Sequence, residues 1–307
     1  MYNAKQKELY ISELRTNAGK SDARYMFEAT EQIEEQNKTD LCAFSNELIS
    51  KALTQIAGIK TGTQKKAVLK FKAYIKWCLQ NNIEKTNADA LKFHIDSLGL
   101  DMFYIQSVSS PGHLQSCLDE IFAPEEELVT DNVYRAFLWL AFAGMEKDDI
   151  LRLKSTDLDI KNKCVYGSEN ESYSLPNQSL NVLKICAEAT HFNYTHARYT
   201  KYWERVQSEQ LLRNVKSELT DNTIRKRLRE ARFDSQGDLK TQMELTYSHV
   251  WLSGIFFRAR ISEITENRKP NFLDIAVKEV GEFSDFAVIK AKEYLRDYTR
   301  WKAAFPV

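Results

Sequence analysis

Two stretches of this chain set cationic, hydroxyl and amide side chains at the start of a helical pattern. The first is Lys60-Thr61-Gly62-Thr63-Gln64-Lys65-Lys66, with Lys70 one turn further on. The second is Leu219-Thr220-Asp221-Asn222-Thr223, followed by Arg225, Lys226 and Arg229 and preceded by Arg213. Unpaired N–H groups at a helix N-terminus attract phosphate, and lysines and arginines beside them release counterions when a nucleic acid binds. Asn and Arg reaching a major groove can read adenine and guanine edges. The expected DNA-contacting set is therefore Lys60, Thr61, Thr63, Gln64, Lys65, Lys66 and Lys70 in the first half. In the second half it is Arg213, Thr220, Asn222, Thr223, Arg225, Lys226 and Arg229. One such helix in each half suggests a clamp around a duplex.

Other reactive residues form weaker patterns. His191, Tyr194 and His196 lie in an aromatic-rich stretch where helical spacing could bring two imidazoles to one side, but no third ligand is near. No metal and no cofactor is expected. The chain has no phosphate-binding glycine loop and no serine nucleophile elbow. Five cysteines, Cys42, Cys78, Cys117, Cys164 and Cys186, are scattered without a CxxC pair. They read as small buried hydrophobes of a reducing cytoplasm.

The elements that must position these residues are mainly helical. The chain has 307 residues, with only 10 Gly and 5 Pro, so helices run long before a breaker stops them. Residues 1–20 read as a polar lead. Helical spacing then runs from Ser21 through Leu53, with an acidic face at Glu28, Glu31, Glu34 and Glu35. A second helix carries Val68, Phe71, Ile75 and Leu79 and stops at Asn81-Asn82. Thr86 or Asn87 caps another. Residues 21–122 form a helical bundle, and the acidic Pro-containing stretch 123–129 is the linker. In the second half, 130–307, Thr130-Asp131 opens a very apolar helix. Short strands follow around Leu158–Ile160, Cys164–Tyr166 and Ser172–Pro176, and helices resume at Leu180. The fold class is mainly α with a small β-sheet, in two domains. The longest apolar run, Ala136 to Gly144, is too short to cross a bilayer. No membrane partner is expected.

The 43 basic residues balance 43 acidic ones. That neutral total argues weakly against coating of nucleic acid or anionic membrane by bulk charge alone. It also hides segregation: residues 60–76 hold six lysines and no acid, while acids gather at 28–35 and 119–131.

Three segments of the second half, in order, resemble the catalytic domain of tyrosine recombinases, the phage-integrase family. They are Ala141 to Leu153 followed by Asp157-Leu158-Asp159, the strand pair ending Tyr173-Ser174-Leu175-Pro176, and Tyr247-Ser248-His249-Val250-Trp251-Leu252. The first half is similar to the family's helical core-binding domain. The resemblance implies a two-domain DNA clamp, with Tyr247 and His249 at the DNA-facing surface. It also implies where chemistry would sit, and there the chain departs. The family's first catalytic Arg is Glu146 here, its second is Leu252, and no Lys stands at Ser168–Glu171. Those cations stabilise the charge that develops on phosphorus, and a carboxylate in their place repels it. His249 and Tyr298 then read as vestigial, the tyrosine lacking what would activate it.

A recombinase fold without its cations and with its basic helices resembles the MrpR (YopR) type of lysogeny repressor of SPβ-like Bacillus phages. The stretches Ser109 to Leu114 and Tyr134 to Gly144 carry that likeness. It implies a catalytically inactive, sequence-specific repressor of lytic genes. Its partner is double-stranded DNA bearing phage operator elements, in the bacterial cytoplasm at the nucleoid. An antirepressor or other regulatory protein is a further candidate partner, and the sequence leaves the oligomeric state open. Two other functions are open to the same residues: an active or accessory recombinase, and a protein-interaction module with no DNA role.

Overall fold

A computed structural model describes the chain except residues 58–59, 96–99, 123–128, 169–170, 197–198, 205–207, 214–218, 235 and 307. In chain order the helices are α1 (Ala4–Glu13), α2 (Asn17–Asn37), α3 (Asn46–Ala57), α4 (Thr61–Gln80), α5 (Asp101–Gln106), α6 (Pro111–Ile121), α7 (Val129–Ala143), α8 (Lys147–Arg152), α9 (Leu180–Glu188), α10 (Asp221–Glu230), α11 (Tyr247–Thr265), α12 (Leu273–Val280) and α13 (Asp285–Ala304). Strands β1 (Leu158–Asp159), β2 (Cys164–Tyr166) and β3 (Ser172–Ser174) form one antiparallel sheet. Strands β4 (His191–His196) and β5 (Tyr199–Glu204) form a second. The mainly helical class with a small sheet is as the sequence indicates.

Packing divides the chain into two units: Met1–Met102 with Asn271–Pro306, and Phe103–Pro270. These limits differ from the boundaries read in the sequence. The acidic linker lies almost wholly outside the described residues. Helix α6, assigned by sequence to the first half, buries Leu114, Cys117, Leu118 and Ile121 in the core of the second unit. The last two helices join the first unit.

In the first unit, the polar lead is ordered as helix. It folds as α1 and buries Tyr10, Ile11 and, fully, Lys7. Lys7 Nζ donates to Glu34 Oε1 at 2.6 Å, and both side chains are inaccessible. Glu34 also accepts from the Leu41 amide at 2.7 Å and the Thr30 hydroxyl at 3.3 Å. Burial raises the Glu34 carboxyl pKa against the pull of Lys7, so the ionised pair is held at a net cost.

The single helix expected from Ser21 to Leu53 is broken. Lys38 adopts a left-handed φ of 50° that ends α2, and Asp40 caps a tight turn by accepting from Cys42 N at 3.0 Å. Asp40 also accepts from the Tyr74 hydroxyl at 3.1 Å, which ties the break to α4. Tyr10, Phe27, Tyr74 and Trp77 fill the space between with mostly edge-to-face rings.

The second unit is built around α7. Every residue from Val133 to Ala143 is at most 6% exposed. A helix apolar on nearly all sides must be wrapped, and α8, α9, α10, α11 and β4 pack on it. Its closest neighbour is α11, at Gly254, where any Cβ would overlap the Phe142 backbone carbonyl. The arginine inside this shell is paired: Arg135, fully buried, donates to Asp119 at 2.7 Å and to the Phe122 carbonyl at 3.2 Å.

The three-stranded sheet falls where the sequence placed it, with Val165 paired to Leu158 and Tyr173. The β4–β5 hairpin is a correction. Residues 191–204 read as helix, yet six consecutive residue pairs run from His191↔Glu204 to His196↔Tyr199. Their Tyr, Thr, Phe and Trp content is the strand signal that the helical reading passed over. The helical spacing that would align His191 with His196 does not exist.

Two stability outcomes follow. Gly254→Ala should cost about 1–3 kcal/mol or more in urea unfolding, because backbone cannot move aside as a side chain can. Lys7→Met or Glu34→Leu alone should each cost about 3–5 kcal/mol, while the double substitution should recover most or all of that loss.

Candidate nucleic-acid interface

The first basic stretch opens α4. Lys60 is its N-cap residue and makes no side-chain cap bond, which suits an N-terminus left to outside groups. Thr63, Lys65 and Lys66 are exposed. The Thr61 side chain lies outside the described residues. Lys70 pairs with Asp22 at 2.7 Å on the surface, a contact worth little in water. Gln64 is placed differently from expectation. It is 1% exposed, and its carbonyl accepts from Arg300 of α13 at 2.7 Å. It supports the turn from below rather than facing out.

The second basic stretch is α10. Thr220 caps it, accepting from Thr223 N at 3.3 Å, and its hydroxyl lies 2.9 Å from that of Thr223. Ile224, Leu228 and Ala231 are buried, as the period requires. Asn222, Arg225, Lys226 and Arg229 are exposed. Arg225 pairs with Asp221, and Lys226 lies 3.8 Å from Glu230, both at i,i+4 spacing. Arg227, which the sequence reading left unassigned, is the anchor. Its Nη2 donates to the nearly buried Asp131 of α7 at 2.7 Å, and its guanidinium lies over the Phe122 ring. α10 is thus held on one side by apolar packing and a charge pair, and offers cations on the other. Arg213 is half-buried and donates to the Ser208 carbonyl at 3.0 Å.

The residues that the resemblance singled out in the second half make structural contacts. α7 ends at Gly144, whose φ of 101° turns the chain sharply. Carbonyls at the end of a helix need donors, and three side chains of α11 supply them. Arg258 reaches the Phe142 carbonyl, Trp251 Nε1 donates to that of Gly144 at 3.1 Å, and the Tyr247 hydroxyl to that of Met145 at 3.0 Å. Burial and the neighbouring Glu146 charge push the Tyr247 phenol above its ordinary value, so it remains a donor.

His249 is drawn inward by its Nδ1, 2.8 Å from the Glu244 carbonyl, so that nitrogen carries the proton. Its amide is capped by Thr246 at 3.2 Å. Leu252 is 1% exposed. Glu146 is the N-cap residue of α8, and Ser168 donates to Asp149 at 2.9 Å.

Tyr298 belongs to the first unit. It is 1% exposed and packed against Phe272 and Trp301 with ring centroids 5.6 and 6.3 Å away. Trp251, Arg258 and Arg300 were not singled out in the sequence. No local pattern marks a side chain whose partner is a carbonyl more than a hundred residues away.

Residues 1–80 match the family model of the MrpR N-terminal core-binding domain. That segment runs from α1 to the last residue of α4, so the basic helix start at Lys60–Lys66 lies inside it. Among solved structures, the chain is similar to the XerA recombinase at 10% identity and a TM-score of 0.37, covering 99% of this chain and 97% of that one. It is similar to the XerH site-specific recombinase bound to a palindromic difH substrate at 15% identity and a TM-score of 0.40, covering 85% and 71%. The Tn1549 transposon integrase in complex with circular intermediate DNA follows at 11% identity and a TM-score of 0.31, covering 85% and 87%. Comparison with curated protein sequences finds no match. Among the described residues no helix is long and apolar enough to cross a membrane.

Replacing Trp251 by Phe should cost about 0.5–1.5 kcal/mol in chemical denaturation, by leaving the Gly144 carbonyl without its donor.

Proposed function

We propose that this protein is a sequence-specific DNA-binding transcriptional repressor that maintains phage lysogeny by silencing lytic genes, and that it does not cut DNA. The observation that carries the reading is the MrpR core-binding match over residues 1–80, which contains the exposed lysines of the α4 start. The α10 surface, with Thr220 at its cap and Asn222, Arg225, Lys226 and Arg229 exposed, offers the second unit's groove-reading face. Each unit contributes one basic helix to a clamp on operator DNA in the bacterial cytoplasm, and an antirepressor or other regulatory protein acts on that complex.

Inactivity follows from the chemistry of the recombinase-like positions. A carboxylate at Glu146 and an alkyl group at Leu252 cannot stabilise a phosphorane. The donors of Tyr247, Trp251 and Arg258 are directed to backbone carbonyls. Tyr298 is packed among aromatic rings.

Mobility shifts with operator and random duplexes at two salt concentrations test the reading. Binding should prefer operator and weaken steeply with salt. Lys66→Ala and Arg225→Ala should each weaken it and lower the salt slope by about one. Absence of salt-sensitive, sequence-preferring binding would overturn the repressor reading, and unchanged affinity in both variants would remove the clamp. A nicked suicide duplex should trap no covalent adduct. An adduct that disappears in Tyr298→Phe would instead make the protein a recombinase.

A further inference from the structure

The start of α4 does not stand open within its own unit. Helix α13 lies across it. Glu293 Oε1 is 3.4 Å from Lys65 Nζ, and its Oε2 lies 2.8 Å from where a Cβ on Gly62 would sit. One turn along, Arg300 donates to the buried Gln64. From α12, Glu279 faces the same end. Burial would raise its pKa, but Lys290, the Tyr294 hydroxyl and the Lys60 charge together outweigh that and hold it below the usual carboxylate range. Between α4 and α13 remains a partly open cavity of about 370 Å³, lined by Lys60, Lys66, Phe286, Ile289, Lys290 and Asp297 among others. A carboxylate thus sits at the helix start, against a lysine, where a phosphate oxygen would find the same partners.

We propose that α13 is an autoinhibitory element: Glu293 occupies the phosphate position at the α4 start, and duplex DNA must displace it to engage Lys60 and Lys65. The inference rests on the reading of α4 as a DNA-contacting helix. It adds that the protein holds this helix in a self-covered state. The contact is half-exposed and rests on one carboxylate, so its grip is small and reversible, as a switch requires. Because the two ligands are mutually exclusive, whatever loosens α13 raises DNA affinity by the same factor that DNA loosens α13.

The test uses the full chain and a random-sequence duplex, so that no operator need be known. Glu293→Gln keeps the shape and removes the charge. It should bind duplex roughly three-fold or more tighter than the parent at low salt, the scale of one half-exposed ion pair. Hydrogen exchange on the parent should show α13 amides losing protection when duplex is added. Lys66→Ala, outside the Glu293 contact, serves as the control for α4 itself. If Lys66→Ala weakens binding while Glu293→Gln matches the parent and α13 protection is unchanged, autoinhibition is overturned and the DNA-contacting helix stands. If Lys66→Ala and Glu293→Gln both bind as the parent does, the α4 reading falls and autoinhibition with it. If the parent fails to bind and Glu293→Gln binds, the self-covered state is established directly.

Discussion

The second unit depends on one close approach, the backbone of α11 against that of α7 at Gly254. At that point no side chain separates the two helices, and a Cβ would overlap the Phe142 carbonyl. Such proximity lets three α11 side chains reach the carbonyls at the end of α7. Trp251, Tyr247 and Arg258 supply donors that the helix end would otherwise take from water. The same approach places Leu252 in the interior and turns His249 toward the Glu244 carbonyl. One steric constraint therefore holds the core and fixes the donors at the end of α7.

Charge follows a similar economy. Among the described residues the fully buried cations each meet an acid: Lys7 pairs with Glu34, and Arg135 with Asp119 and the Phe122 carbonyl. Arg227 crosses from α10 to Asp131 of α7 and fixes the helix whose outer side carries Arg225, Lys226 and Arg229. Structural and surface cations thus alternate along one helix, and the net charge of zero says nothing of either. The acid at Glu293 extends the same logic to the first unit, where the basic α4 start is matched from within the chain.

Several elements were legible in the sequence because their signals are local. The α4 and α10 starts, the stripe Ile224–Leu228–Ala231, the apolar α7 and the three short strands all follow from caps, periods and turns within a dozen residues. The hairpin at 191–204 was misread because an aromatic-rich stretch with no Gly or Pro satisfies neither period cleanly. The continuous helix from Ser21 failed at Lys38. There Asp40 and Glu34 make side-chain bonds to the backbone that compete with the helix, and their burial rewards the break.

The sequence by itself determined the mainly helical class and the two basic helix starts, because these depend on residue type and neighbours a few positions away. Tertiary structure decided what those residues face. It buried Gln64 under Arg300, spent Tyr247 and Trp251 on the end of α7, put Tyr298 in an aromatic cluster of the first unit, and laid Glu293 across Lys65. Each of these pairs residues separated by a hundred positions or more, or sets a burial that only the completed packing creates. No spacing rule along the chain encodes such a meeting.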